Sequence, residues 1–164
     1  WVSINVTNCS DGVDGLSGTL TIITLISLYM VDQIKGTDPV FSHTILLFVI
    51  CILAYLWFNA TPSKLMMGDA GSRALGFYIA VIAMKTGHPF VYILLAAVLI
   101  VDGGIGLIKI FLLRFLKIAV LKNTRTPLHD HARKGKGWSD TQVVFRFCII
   151  QILFVLFAYL VVAR

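Results

Sequence analysis

From Phe41 to Phe58 the sequence reads FSHTILLFVICILAYLWF, without a single Lys, Arg, Asp or Glu. A helix rises about 1.5 Å per residue, so a run of this length comes close to spanning a bilayer hydrocarbon core about 30 Å thick. Only a large protein interior or a membrane could hide it, and composition decides between them. Of the 164 residues, 58% are hydrophobic and 13% charged, with a mean hydropathy of +0.89. Soluble domains are about 45–50% apolar and about 25% charged. In lipid, backbone polar groups must be satisfied within the segment, which selects helices for open chains.

The expected fold is therefore all-α, a polytopic transmembrane helical bundle with about five spans, at 16–31, 41–58, 71–84, 90–113 and 143–163. The third is short. The fourth carries Val101-Asp102-Gly103-Gly104, which predicts a break, a kink or a close helix contact. Trp138 and Tyr159 flank the last span as interfacial aromatics do, and His43 and His88 fall near the opposite membrane face. The opening WVSINVTNCS has neither Met nor a basic leader, so the expectation is a fragment of a longer chain. Cys9, Cys51 and Cys148 are odd in number and widely spaced, as small packing residues are.

Five spans put the segments 1–15, 59–70 and 114–142 on one side of the membrane. That side carries or adjoins Lys64, Arg73, Arg114, Lys117, Lys122, Arg125, Arg133, Lys134 and Lys136, whereas the other has Lys35, Lys85 and Arg164. Basic loops stay in the cytoplasm, which makes the first side cytoplasmic. The net charge of +6 is thus accounted for by topology, and no aromatic-basic interleaving points to nucleic acid. The most polar segments share that face, which argues for one site built from three loops.

Each loop carries chemistry. In NVTNCSDGVDGL, Asp11 and Asp14 precede glycines just before an apolar run. They suit helix capping or a site where glycine lets a ligand approach the backbone. In FNATPSKLMMGDAGS, Asp69 lies between small residues and fits either a cap or a hard-cation ligand beside a diphosphate. In TPLHDHARKGKGW, His129 and His131 flank Asp130, with Arg133 behind. That loop fits lipid headgroup attraction or the handling of a polyanion. Asp102, inside an apolar run, is a candidate for a buried functional or structural contact.

Together the three loops resemble the polyprenyl-phosphate N-acetylhexosamine-1-phosphate transferases. NVTNCSDGVDGL is similar to their NxxNxxDGxDGL motif, and FNATPSKLMMGDAGSRALG to FNxxPAxxFMGDxGSxALG. TPLHDHARKGKGWSDTQVVFRF resembles the PxHHHxE…KGWxExxVVxRFW ending of one branch, the phospho-N-acetylmuramoyl-pentapeptide transferases. The resemblance implies the C-terminal half, over 1–164, of one integral-membrane transferase domain. It implies transfer of phospho-N-acetylmuramoyl-pentapeptide from UDP to undecaprenyl phosphate, giving lipid I and UMP, with Mg²⁺ as cofactor. Asp69 takes the place of the family's metal-binding Asp. Asp11, Asp69, His129 and His131 take catalytic positions, and Asn8, Asp14, Asn59, Gly68, Asp130 and Arg133 substrate-binding ones. His131 is expected to matter more than His129. Implied partners are the N-terminal half of the same enzyme, a second copy in a homodimer and the bilayer. The implied location is a bacterial plasma membrane, with the site facing the cytoplasm. Three positions depart from the pattern: Asp130 replaces the middle His, Met66 a Phe, and Asp102 a Glu. A sibling transferase acting on UDP-N-acetylglucosamine is the nearest alternative. A transporter half using Asp102 and an intramembrane aspartyl protease using Gly68-Asp69 are further ones.

Overall fold

The computed structural model describes residues 1–36, 39–87, 89–118 and 124–162. His88, Lys122, Ala163 and Arg164, all used in the reading above, lie outside the described residues. The described chain is helical throughout its regular structure: α1 (Val2–Cys9), α2 (Leu16–Lys35), α3 (Pro39–Asn59), α4 (Gly68–Lys85), α5 (Val91–Leu95), α6 (Ala97–Phe115), α7 (Leu128–Lys136) and α8 (Asp140–Val162). The fold is all-α, as the apolar runs required. Among the described residues, three helices are long and apolar enough to cross a membrane: Leu16–Ile34, Pro39–Asn59 and Asp140–Leu160. The protein is accordingly a multi-pass membrane protein. The third and fourth predicted runs become α4 and α5–α6. Each of these two helices carries three charged residues: Asp69, Arg73 and Lys85 in α4, and Asp102, Lys109 and Arg114 in α6.

α2 is the hub. Of its span, 61% is buried, against 28% for α3 and 22% for α8. Leu16, Leu20, Leu25 and Leu28 are fully buried and spread over about half of its circumference, as in a helix enclosed by neighbours. α3 and α8 pack on α2 and turn their remaining apolar surface outward, as helices facing lipid do.

Three local expectations change. Residues 2–9, read above as part of a loop, form α1, which packs between α4 and α6. Gly76 and Gly103 make this possible: a Cβ at either would collide with the α1 backbone, at Ser3 and Val6 respectively. Small residues let helix backbones meet where lipid supplies no hydrophobic drive. Polar α1 side chains then find partners in the neighbours, Ser3 Oγ donating to the Gly76 carbonyl at 2.6 Å. Residues 128–136, also read as loop, form α7. Its mixed basic sequence hid a helix that is held by tertiary contacts.

The third change concerns the break in the fourth span. Val101-Asp102-Gly103-Gly104 lies inside α6 without interruption, and its glycines serve the close contact with α1 instead. The chain breaks at Ala96 (φ −120°, ψ 24°). Gln151 of α8, fully buried, supplies what the break removes. Its Oε1 accepts from the Val98 N–H at 2.8 Å, and its Nε2 donates to the Leu95 carbonyl. Thr24 Oγ1 donates to the same carbonyl at 3.2 Å. A freed backbone group at membrane depth is tolerated only when re-satisfied in this way. Gln151→Leu strands the Val98 N–H and leaves the Leu95 carbonyl only the long contact from Thr24, whose one hydroxyl proton is shared with the Leu20 carbonyl. The expected loss of stability is about 1–3 kcal/mol, read by thermal unfolding in detergent. Gln151→Glu keeps the acceptor for Val98 and is expected to lose less.

Candidate active site

A cavity of about 260 Å³ opens where the turn after α1 meets the segment joining α3 to α4. One wall is Asn8, Asp11, Gly12, Val13 and Asp14; the other is Tyr55, Asn59, Met66, Met67, Gly68 and Asp69. Two of the three predicted loops therefore line one cavity.

The second wall is shaped by Asn59, which ends α3 and is only 6% exposed. Its Oδ1 accepts from the Gly15 N–H at 2.8 Å. Its Nδ2 donates to the Leu65 carbonyl at 2.8 Å and to Ser63 Oγ at 3.1 Å. Asp14 Oδ2 accepts from the Ser63 N–H at 3.1 Å. Both side chains, expected to hold substrate, are thus engaged in tying the two loops together. Asn8 is similar, its Nδ2 donating to Ser72 Oγ of α4 at 2.9 Å. Gly68 turns the chain into α4 at φ +67°, a left-handed conformation that side chains with a Cβ disfavour. This sets Asp69 in the first turn of α4, nearest the positive end of its dipole.

Of the cavity's acids, Asp11 makes no side-chain hydrogen bond among the described residues and Asp69 pairs only within its own helix. Burial raises the Asp11 carboxyl above the usual range, the Asp69 charge raises it further, and His129 opposes both. Asp69 has a 78% exposed side chain and a single ion pair, to Arg73 at 3.1 Å on the next turn. Exposed pairs of this kind are worth little and exchange readily. Among the described residues, no three His, Cys, Asp or Glu gather as a metal cage. Two repelling carboxylates on one cavity nevertheless fit Mg²⁺, which is often held by one or two carboxylates together with substrate phosphates.

The sign for Asp11 is definite. A carboxyl whose folded pKa is raised contributes its stability below the unfolded pKa and loses it as pH rises through the folded value. Ionised Asp11 therefore costs stability at neutral pH. With divalent cations chelated, Asp11→Asn is expected to raise the melting temperature at pH 7, with the gain vanishing in acid. An unchanged melting temperature at pH 7 contradicts that electrostatic picture.

The third loop comes nearest the cavity through His129, which does not line it but lies behind Gly12. His129 begins α7 and is 3% exposed. Asp102 of α6, also buried, receives it twice: from the His129 backbone N–H at 2.8 Å and from Nδ1 at 2.8 Å. A carboxylate oxygen can only accept, so Nδ1 carries a proton, and in the neutral imidazole Nε2 is the acceptor. Nε2 lies against Gly12, where a Cβ would overlap it. Glycine at 12 is what lets the imidazole reach the Asp11 turn. Its signal in sequence was the repeated Asp-Gly.

The remaining predicted residues sit elsewhere. Arg133 is held by Asp140 through two contacts, at 2.5 and 3.2 Å, and so staples α7 to α8. Lys134 donates to Asp130 at 2.9 Å and holds that carboxyl below its usual range. The His131 Nδ1 is buried without a hydrogen bond, against Gly135 of its own helix. Like His129, none of Asp130, His131 and Arg133 lines the cavity. Of the two histidines, His129 is the one packed against the Asp11 turn.

Residues 1–87 match the model of the family described as glycosyl transferase family 4. The chain belongs to glycosyl transferase family 4. The match takes in both cavity walls, from Asn8 to Asp69. A phospho-N-acetylmuramoyl-pentapeptide-transferase of Treponema pallidum is 42% identical over 92% of this chain and 46% of its own length. Proteins of the same name from Brachyspira hyodysenteriae and Dictyoglomus thermophilum are 33% and 32% identical, each over 93% of this chain and over 43% and 48% of their own lengths. The chain spans about half the length of the curated relatives it matches. Those alignments extend beyond the family match and cover the Asp102–His129 region as well.

Proposed function

We propose that this chain forms the C-terminal part of a bacterial phosphoglycosyl transferase. It moves phospho-N-acetylmuramoyl-pentapeptide from UDP to undecaprenyl phosphate, giving lipid I and UMP. The observation that carries this is Asp11 and Asp69 on one cavity, with the Asp102–His129 pair directly behind Asp11. The names of the relatives support the substrate pair. Completion of the site by the N-terminal half, a homodimer, and a cavity opening to the cytoplasm at the plasma membrane belong to the same proposal. The basic residues flanking these loops support that orientation.

Asp69, with Asp11 opposite, would hold Mg²⁺. When bound, the cation neutralises the donor diphosphate and stabilises the departing UMP. The chain's own residues do the rest. Asn59 and Asp14 fix the distance between the two walls. Gly68 sets the direction of Asp69. Asp102 holds Nδ1 of His129 as a donor, and in the neutral imidazole the Nε2 lone pair faces the Asp11 turn. There it can accept a proton or a hydrogen bond, a role for which the tautomer must be settled in advance.

The test is UMP release by the full-length protein with undecaprenyl phosphate as acceptor. UDP-linked muramoyl-pentapeptide is expected to support it and UDP-N-acetylglucosamine is not. The opposite preference would transfer the chain to the sibling activity. Release from neither donor would remove the reading.

A further inference from the structure

Tyr55 stands in the cavity wall one helical turn before Asn59, on the same face of α3. Its hydroxyl is buried and donates no hydrogen bond. The polar groups acting on it are the Asp11 and Asp14 carboxylates and the Met67 backbone amide. That amide can only donate, so the phenol's own proton is left without an acceptor. Buried hydroxyls without partners are uncommon in native proteins and call for a cause. The cavity beside it supplies one.

We propose that Tyr55 is a substrate-contacting residue, donating its phenolic proton to an uncharged oxygen of the nucleoside, on base or ribose. This rests on the nucleotide-sugar reading above and adds a residue to it. The cation proposed at Asp69 draws the diphosphate to its own side of the cavity; beside Asp14, which holds no cation, a further phosphate would be repelled, whereas a carbonyl or hydroxyl oxygen would not. Val13 and Met67, in the same walls, offer apolar surface for a flat ring. Among the described residues nothing accepts from the Tyr55 hydroxyl, so its donor is open to a ligand.

The experiment uses the full-length protein in detergent, wild type against Tyr55→Phe. It measures the affinity for uridine, the KM for the UDP-linked donor and the melting temperature. A neutral hydrogen bond is worth about 0.5–1.5 kcal/mol, which converts to a loss of about two- to tenfold. Uridine affinity is expected to fall by that factor. The donor KM is expected to rise equally, with the melting temperature unchanged or higher, because an unpaired buried hydroxyl has been removed. Unchanged uridine affinity in a folded variant, with wild type binding normally, overturns the Tyr55 assignment alone. A loss confined to the UDP-linked donor, with uridine unaffected, places the contact on the diphosphate and also overturns it. Failure of the wild type to bind either probe overturns the nucleotide-sugar reading and the assignment together.

Discussion

Asp69→Asn in the full-length protein is expected to cut Mg²⁺-dependent UMP release by about 10²–10³-fold, the scale seen when one preorganised stabiliser of developing charge is removed. The variant is isosteric, and the exposed Asp69–Arg73 pair contributes little to folding. The melting temperature should therefore hold while activity falls. Most other acids near the cavity have structural duties that confuse such a test: Asp14 closes a loop and Asp102 anchors α7. Asp69 has none beyond Arg73 and is the cleanest probe of the proposed cation site. Turnover within about tenfold of wild type would remove that role from Asp69, since a stabiliser of developing charge is expected to be worth at least 10²-fold.

The second large effect is expected at His129. His129→Ala leaves the buried Asp102 carboxyl with one donor in place of two. Removing one member of a buried pair costs about 3–5 kcal/mol. Loss of a positioned proton-transfer group costs about 10²–10⁴-fold in rate. Both losses are expected together, in thermal unfolding and in UMP release. Gly12→Ala is expected to reach the same histidine from the other side. The new methyl would drive the imidazole off the Asp11 turn, and a displacement of about 1 Å can cost about 10²-fold. Its destabilisation should be smaller, because Asp102 keeps both donors. His131→Ala, outside the cavity, is expected to be mild by comparison. A His131→Ala loss exceeding that of His129→Ala would contradict the geometry.

Much of this was legible in sequence because membranes enforce simple rules. Uninterrupted apolar runs fixed α2, α3 and α8. The segment from Asn59 to Asp69 was legible as one unit because Gly, Pro and Asn mark its turns. α1 was missed because NVTNCSDG carries polar side chains that suit a loop equally well. Its helix depends on Gly76 and Gly103, which are remote in sequence, accepting its backbone. The break was misplaced for a related reason. Two adjacent glycines signal a kink, yet the actual break at Ala96 is held by Gln151, some fifty residues downstream, and no local pattern announces such a partner. In the site, residue types pointed to Asp11 and Asp69, which the fold places on one cavity. Structural duties were hidden: only the structure shows the hydrogen bonds by which Asn59, Asp14 and Arg133 tie elements together. Tyr55 looked like one more aromatic in a span.

The central claim is that a nucleotide diphosphate and a divalent cation meet at Asp69 in this cavity. The most direct measurement is equilibrium binding of the UDP-linked donor to the full-length protein, with and without Mg²⁺, in wild type and Asp69→Asn. The account predicts that Mg²⁺ strengthens binding to wild type and has little effect on the variant. An equal strengthening in both would contradict it, because the cation would then be held without Asp69.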